Sequence, residues 1–489
     1  MKVENMTPIY KDSEKNSRFF EKHVGLNETF DIGVRTFTIF NKKIQLYYLN
    51  GLSESLLIIN IIKEMVDLNS THREISDIRA LVENRLIHQQ VSSIHSLDEA
   101  TDQLLAGLII ILIEGETEGY AVDVRQYPGR SPEEPDTEKV VRGARDGYTE
   151  NIIVNTALTR RRIRDERLRN EMVQVGERSK TDVCISYIKD VADHDLVQVI
   201  KNEIENMTVD GLPMGDKTLE EFIVKQGVFP FPLVRYTERP DVAVSHLLEG
   251  HVLIFVDTSP SVMITPTTFF HHVQHAEEFR QNRAIGIYLR WIRFIGIFAS
   301  LFLLPLWYLY VLEPDLLPKM VHFIGPEKKS DIPVFIQLLI AELGIDLLRM
   351  AAIHTPTPLS TAMGLVAAVL IGQIAVDVGL FIQEVILYIA IATMGTFATP
   401  SYELGIANKI SRLGLLAAVG LFHVPGFVVG ITVLLLLLIG RKSLNAPYFW
   451  PLIPFEGRAM LNIFIRQPLS KERERPSIVQ PHNKQRKAK

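Results

Sequence analysis

The sequence predicts an α+β membrane protein: an N-terminal soluble region of two similar α/β subdomains followed by a C-terminal helical transmembrane domain. Three observations lead there. Charged residues recur every few positions up to about Gln281, whereas Phe294–Leu312, Val385–Tyr402 and Leu413–Gly440 contain no Asp, Glu, Lys or Arg. Each of these runs is near or above the ~18 apolar residues that mark a membrane-spanning helix. Within the charged half, one pattern of apolar runs and turns occurs twice. Met1–Arg18 is hydrophilic and lacks the apolar core of a cleavable signal peptide, which keeps the first half on the side of synthesis.

These observations set boundaries: an N-terminal tail (1–30), subdomain 1 (31–127), a loop and basic helix as linker (128–180), subdomain 2 (181–280), a transmembrane domain (281–442) and a Pro-rich, basic tail (443–489). Cys184 is the sole cysteine, which excludes an intrachain disulfide and a cysteine-based metal site.

The duplication is read by aligning the two halves of the soluble region. Ile44-Gln-Leu-Tyr-Tyr-Leu-Asn-Gly is a strand and turn into a helix Glu54–Leu68, and Val183-Cys-Ile-Ser-Tyr-Ile-Lys-Asp leads in the same way into Asp193–Met207. Leu104-Leu-Ala-Gly followed by Leu108–Ile113 matches Leu247-Leu-Glu-Gly followed by His251–Val256. A second β-rich run closes each unit, Tyr120–Arg125 and Val262–Thr265. Between the units, the loop Pro128–Glu138 precedes a helix from about Tyr148 to Arg169 that carries Arg160-Arg-Arg-Ile-Arg. Asp165 and Glu166 interrupt the basic run and no aromatic platform accompanies it, so it reads as a solvated or subunit-facing helix and not a nucleic-acid patch.

Enzyme motifs fail on spacing. Gly211-Leu-Pro-Met-Gly-Asp-Lys-Thr218 has too few residues between its glycines for a phosphate loop and follows a helix where a strand is required, so it reads as a turn. His271 and His275 stand one helical turn apart, but no Glu follows His271 and no third ligand is evident. No catalytic residue, metal or cofactor is expected.

Arg280, Arg283, Arg290 and Arg293 precede the first apolar run, and Arg441, Lys442 and Lys471–Lys489 follow the last. Positive charge on both flanks places both termini on the cytoplasmic side and demands an even number of crossings. There are five apolar segments: Phe294–Leu312, Ile332–Met350, Leu359–Ile382, Val385–Ala398 and Leu413–Gly440. Glu342, Asp346 and Arg349 in the second share one helix face as a charged network. The cost of charge at bilayer depth makes that segment re-entrant or wholly enclosed, leaving four crossings. In the third, Val369, Gln373, Val376, Asp377, Leu380 and Gln383 form one stripe, with Gly372 and Gly379 on another face. The stripe fits either a cation path repeated around a symmetric axis or a buried intersubunit hydrogen bond. His423-Val-Pro-Gly426 should bend the fifth segment. The clustered Lys and Arg of the tail suit anionic lipid.

Several stretches together resemble one known family. They are Glu133–Asn151 continuing through Asn155 to Arg160-Arg-Arg-Ile163, Thr237-Glu-Arg-Pro-Asp241 with Leu247-Leu-Glu-Gly250, Asp257-Thr-Ser-Pro260, Glu342 to Arg349, Ala446-Pro-Tyr-Phe-Trp-Pro-Leu-Ile-Pro454 and Arg466-Gln-Pro468. In order along almost the whole chain, they resemble the A-subunit family of GerA-type spore germinant receptors. Ala144 stands where that family usually has Pro, and Thr258 where Gly is common. The resemblance implies a sporulation-specific, multi-pass protein of the inner spore membrane acting in germination, without nucleic acid as partner. It also implies a homo-oligomeric, pentameric ring that releases monovalent cations and amplifies germinant signalling. Because nutrient is bound by a separate B subunit of transporter-like fold, a small membrane partner protein and a functional link to B-type subunits are implied. Subunit contacts are expected from the Arg142–Arg164 region, with Arg142, Arg145, Glu150, Asn155, Arg160, Arg161 and Arg162 as candidates. The alternative is a non-conducting scaffold that couples receptors to another channel.

Overall fold

A computed structural model describes residues 6–67, 90–126, 138–316, 319–327, 331–354, 364, 370–465 and 474–486. The loop over 128–137, Val369, Arg466-Gln-Pro468 and Lys471 lie outside the described residues. Both repeats form five-stranded antiparallel sheets with the same topology. The first has β1 (Ile32–Ile39), β2 (Lys42–Leu49), β3 (Val91–Ile94), β4 (Ile109–Ile113) and β5 (Gly119–Val122) in the order β1-β2-β4-β5-β3. The second has β6 (Leu168–Val175), β7 (Thr181–Ile188), β8 (Arg235–Thr237), β9 (Val252–Val256) and β10 (Val262–Thr265) in the order β6-β7-β9-β10-β8.

Period-two alternation sends each central strand to two cores. Ile109, Ile111 and Ile113 of β4 pack with Ile58, Ile61 and Met65 of α2 (Ser55–Asp67). Ile110 and Leu112 face Phe20 of α1 (Ser13–His23) and Leu104 of α3 (Leu97–Leu105). In repeat 2 the same division holds. Val252, Ile254 and Val256 of β9 face Leu196 and Ile200 of α5 (His194–Glu205) and Leu219 of α6 (Asp216–Val224), while Leu253 and Phe255 face Ile152, Leu158 and Leu247, the last on α7 (Pro240–Glu249). This architecture explains why β4 and β9 read as unbroken apolar runs. Edge strands are harder to read: β1 is only partly buried, with Arg35 and Thr36 exposed, and β6 falls inside the stretch assigned to the linker.

The linker helix differs from expectation. It is α4 (Ile152–Arg162), capped by Asn151, and Arg169 lies on β6. One of its faces is buried in the chain, with Asn155 and Arg160 both 1% exposed, while Ile153 and Arg161 stay at the surface. Arg160 Nε donates to Asp31 Oδ2 at 2.9 Å, and its other nitrogens reach the Asp165 and Leu168 carbonyls at 3.1 Å. Asn170 Nδ2 donates to the same Asp31 oxygen at 3.0 Å. One buried ion pair therefore joins repeat 1, the linker and repeat 2. Removing either charge from such a pair strands the other.

Thr258 has φ 71°, and its N–H donates to the Glu150 carbonyl at 2.8 Å. A β-branched residue in the left-handed region is strained by roughly 1–2 kcal/mol. Thr258→Gly is therefore expected to raise unfolding stability by about 1 kcal/mol after glycine's entropic cost, measured by denaturant titration. Unchanged or lower stability would contradict this.

The helical half begins with two short turns, Phe269–Val273, which contains His271, and Ala276–Arg280, which His275 caps, so the two histidines do not share a helix. Five longer elements follow. They are α8 (Arg283–Leu312, with a π turn at Ala299–Leu303), α9 (Val334–His354), α10 (Gln383–Phe397), α11 (Tyr402–Ile439) and α12 (Gly457–Phe464).

α11 does more than bend. Its 38 residues would span about 57 Å if straight. Yet Glu403 lies 3.6 Å from Lys217, and Arg441 stacks 5.0 Å from the Phe229 ring centre, so both ends touch the soluble domain. The reversal is at His423, with φ 53° and ψ −131°. A Cβ on Gly426 would collide with the Ala418 carbonyl, and one on Gly430 would meet Leu415 at 2.7 Å, so the two arms run antiparallel in close contact. Pro425, lacking an N–H, opens the second arm at little cost.

The second apolar segment forms α9, continuous over 21 residues, with Leu343, Leu347 and Met350 exposed on the single chain. Phe335 at its start lies beside Gly420 near the hairpin tip, and Arg349 near its end sits 5.1 Å over Phe397 on the soluble side. The tail is not free either. Residues 474–486 lie back on repeat 2, where His482 N–H donates to Val191 O at 3.1 Å, Val479 packs at Gly250 and Arg486 pairs with Glu249.

Candidate functional site

The helices meet at a buried charge cluster. α9 supplies Glu342 and Asp346, and the first arm of α11 supplies Lys409 and Arg412, three residues apart on one face. Lys409 Nζ lies 2.8 Å from Glu342 Oε2 and 2.5 Å from Asp346 Oδ1; Arg412 Nη2 lies 2.7 Å from Glu342 Oε1. Arg412 Nη1 also donates to the Ser300 carbonyl in the π turn of α8. In a π frame that carbonyl would accept from residue 305, which is proline with no N–H to give. The arginine takes the vacated acceptor and ties α8, α9 and α11 together. Two carboxylates and two cations cancel, so the cluster is a neutral clamp.

Of the charged network read from sequence, Glu342 and Asp346 belong to this clamp. Arg349 does not, since it stacks on Phe397. Lys409 and Arg412 were missed because the fifth apolar segment was read from Leu413. Their i,i+3 spacing, opposite two acids on another apolar segment, was the available signal.

The stripe of the third segment is only partly kept. A helical turn over Leu370–Asp377 ends at Val378, and Gly379 takes φ 77°. Leu380 and Gln383 therefore do not continue the face of Gln373 and Asp377. Val376 and Leu380 are half-buried and pack against the bundle core with Leu304 and Phe381. Gln373 and Asp377 are exposed on the outside of the single chain, and so is Gln383 at the start of α10. Among the described residues, nothing beyond the local backbone lies within 4 Å of a Cβ placed on Gly372 or Gly379.

Subunit-interface candidates separate in the same way. Asn155 and Arg160 are buried within the chain, and Arg162 is paired with Asp146 at 2.6 Å. Arg142, Arg145, Glu150 and Arg161 remain at the surface.

At the junction of repeat 2 and α8, the ring centres of His246, His251 and His271 lie 5.1–5.8 Å apart. Burial pushes His251 down to about 4 and His272 to about 3, and holds His246 and His271 well below the ordinary imidazole value. His246 Nδ1 donates to Val242 O and His251 Nδ1 to Pro266 O, whereas His271 Nδ1 accepts from Thr268 N–H. Among the described residues no group of three or more His, Cys, Asp or Glu is arranged to hold a metal ion. Just beyond, Glu278, fully buried, pairs with both Arg290 (2.6 Å) and Arg293. Two of the arginines that flank the first apolar run are thus bound to the soluble domain.

Comparison with known proteins gives a consistent result. The family described as Bacillus/Clostridium GerA spore germination protein matches residues 20–478. Stage V sporulation protein AF of Bacillus subtilis (strain 168) is 59% identical over 98% of this chain and 97% of its own length. Spore germination protein B1 of the same organism is 28% identical over 97% of this chain and 99% of its own. The crystal structure of the N-terminal domain of the A subunit of the Bacillus megaterium spore germinant receptor GerK3 is 25% identical, covering 54% of this chain and 98% of that one with a TM-score of 0.42.

Proposed function

The chain belongs to the GerA family of spore germination proteins, and on that premise we propose that it is a channel-forming subunit of an oligomeric complex in the inner spore membrane. The bundle geometry supports six crossings in place of four. α8 leads away from the soluble domain, α9 and α10 each return towards it, and the arms of α11 go out and back, which makes five passes among the described residues and six once the even number is met. Both flanks stay on one side, as the basic residues require. Arg283–Leu312 and Tyr402–Ile439 are long and apolar enough to cross, and the first arm of α11, 402–422, is about 31 Å long, the thickness of a bilayer core.

One observation carries the proposal: Asp377 and Gln373 are exposed on the outside of the chain in an otherwise apolar segment, while Glu342, Asp346, Lys409 and Arg412 are paired with one another between the helices. Arranged around a symmetric axis, as in a pentamer, such a surface would bias a path towards cations. Reconstituted in vesicles, the protein is expected to conduct monovalent cations, and Asp377→Asn to lower that conductance on the order of tenfold, equivalent to about 1.4 kcal/mol. Conductance indifferent to this change would refute Asp377 as part of the path.

The competing reading, a non-conducting scaffold between receptors and another channel, draws on the exposed apolar face of α2. Leu56, Ile59 and Val66 there flank a groove of about 570 Å³ suited to a partner. An intact oligomer without conductance would favour it.

A further inference from the structure

We propose that residues Ile453–Ile465, built around α12, form an in-plane element that seats in the headgroup layer of the bilayer crossed by α8. This rests on the membrane reading above. α12 is amphipathic and lies against the start of α8 instead of extending the bundle. The Phe464 ring centre is 5.5 Å from that of Trp291 and 5.2 Å from that of Phe294, where the charge-free stretch of α8 begins. Arg290 Nη1 donates to the Asn462 and Ile463 carbonyls at 2.8 and 2.9 Å. A cation thus caps the end of the helix and complements its dipole. The element is held at a fixed height, level with the arginines that flank the span.

Its two sides differ in chemistry. Towards the soluble domain it roofs a cavity of about 640 Å³, with Arg458 paired to Glu474 at 2.5 Å and Trp450 Nε1 donating to Glu456 at 3.2 Å. Away from it, Phe455, Leu461, Ile453 and Ile465 are exposed, Phe455 by 73% and Leu461 by 50%. These side chains continue the exposed face of α8, where Trp291 and Ile295 are also uncovered. An apolar surface continuous with a membrane-crossing face, bordered by Trp and Arg and backed by polar groups, matches the headgroup boundary of a phospholipid layer.

The test uses the full-length protein in vesicles, with a fluorophore on one introduced cysteine at a time, since native Cys184 is buried. The sites are Leu461, Val433 in the second arm of α11, and Val228 on the soluble domain, which is fully exposed. Lipids carry spin-label quenchers at shallow or deep acyl positions. The Leu461 label should be quenched at least threefold more by the shallow quencher than by the deep one, the Val433 label the reverse, and the Val228 label by neither. If Val433 is quenched and Leu461 is not, the surface is covered by protein and the proposal fails while the membrane reading stands. Deep quenching at Leu461 also overturns it. Absence of quenching at Val433 overturns the membrane reading itself.

Discussion

Replacing Glu342 with leucine is expected to lower the unfolding stability of the purified protein by about 3–5 kcal/mol, the usual cost of leaving buried charge without its partner. Glu342 is 2% exposed and touches both Lys409 and Arg412. Without it Lys409 keeps Asp346, but Arg412 retains, among the described residues, the Ser300 carbonyl and no acid. The double change Glu342→Leu with Arg412→Leu leaves the Lys409–Asp346 pair intact and neutral. It is therefore expected to be less harmful than the single change, a non-additivity typical of contacting groups. Thermal unfolding in detergent measures both. A double variant as unstable as the sum of its singles would show that the clamp is not a unit.

Acidification should have the second large effect, on repeat 2 and its junction with α8. His246, His251, His271 and His272 are buried and neutral, with Arg235 adding repulsion to each once protonated. In the unfolded chain each takes up a proton near pH 6.5. The folded values lie lower, so between about 6.5 and 4 the unfolded state binds more protons and stability falls with falling pH. It is fully present above that window. If all four titrate in it, the slope approaches about 5 kcal/mol per pH unit, at 1.4 kcal/mol per proton. Near-ultraviolet circular dichroism should show cooperative loss of tertiary signal between pH 6 and 4.5, and His251→Gln should flatten the transition by one proton. Stability constant down to pH 4.5 would count against the buried cluster.

The duplicated fold was legible because its central strands are unmistakable: Ile109-Ile-Ile-Leu-Ile113 and Val252-Leu-Ile-Phe-Val256 each sit between two cores. β1 was not, since its edge position lets Arg35 and Thr36 face solvent and blurs the alternation. The linker misled for a different reason. A run of arginines looks solvated unless its acids are known, and Asp31, the partner of Arg160, is 129 residues away in sequence. In the helical half, counting apolar residues hid the hairpin, because Leu413–Gly440 by itself is the length of one span. The first arm starts at Tyr402 and carries Lys409 and Arg412, which only a partner helix with acids makes acceptable. The stripe through Asp377 assumed a helix that Gly379 ends. Of the candidate path, Gln373 and Asp377 keep the outward position that the pattern suggested.

The tie between the tail and repeat 2 has a consequence for biosynthesis. Ser443 donates to the Leu233 carbonyl at 2.6 Å and accepts from Thr267 N–H at 3.1 Å. At 5–20 residues per second, the ribosome reaches position 443 about 10–35 s after position 267. Until then the Thr267 amide lacks this acceptor, and by then every apolar segment has been synthesised. Repeat 2 thus completes its packing last, although it precedes the helices in sequence. A finished soluble domain on the nascent protein certifies that translation has passed the whole helical half.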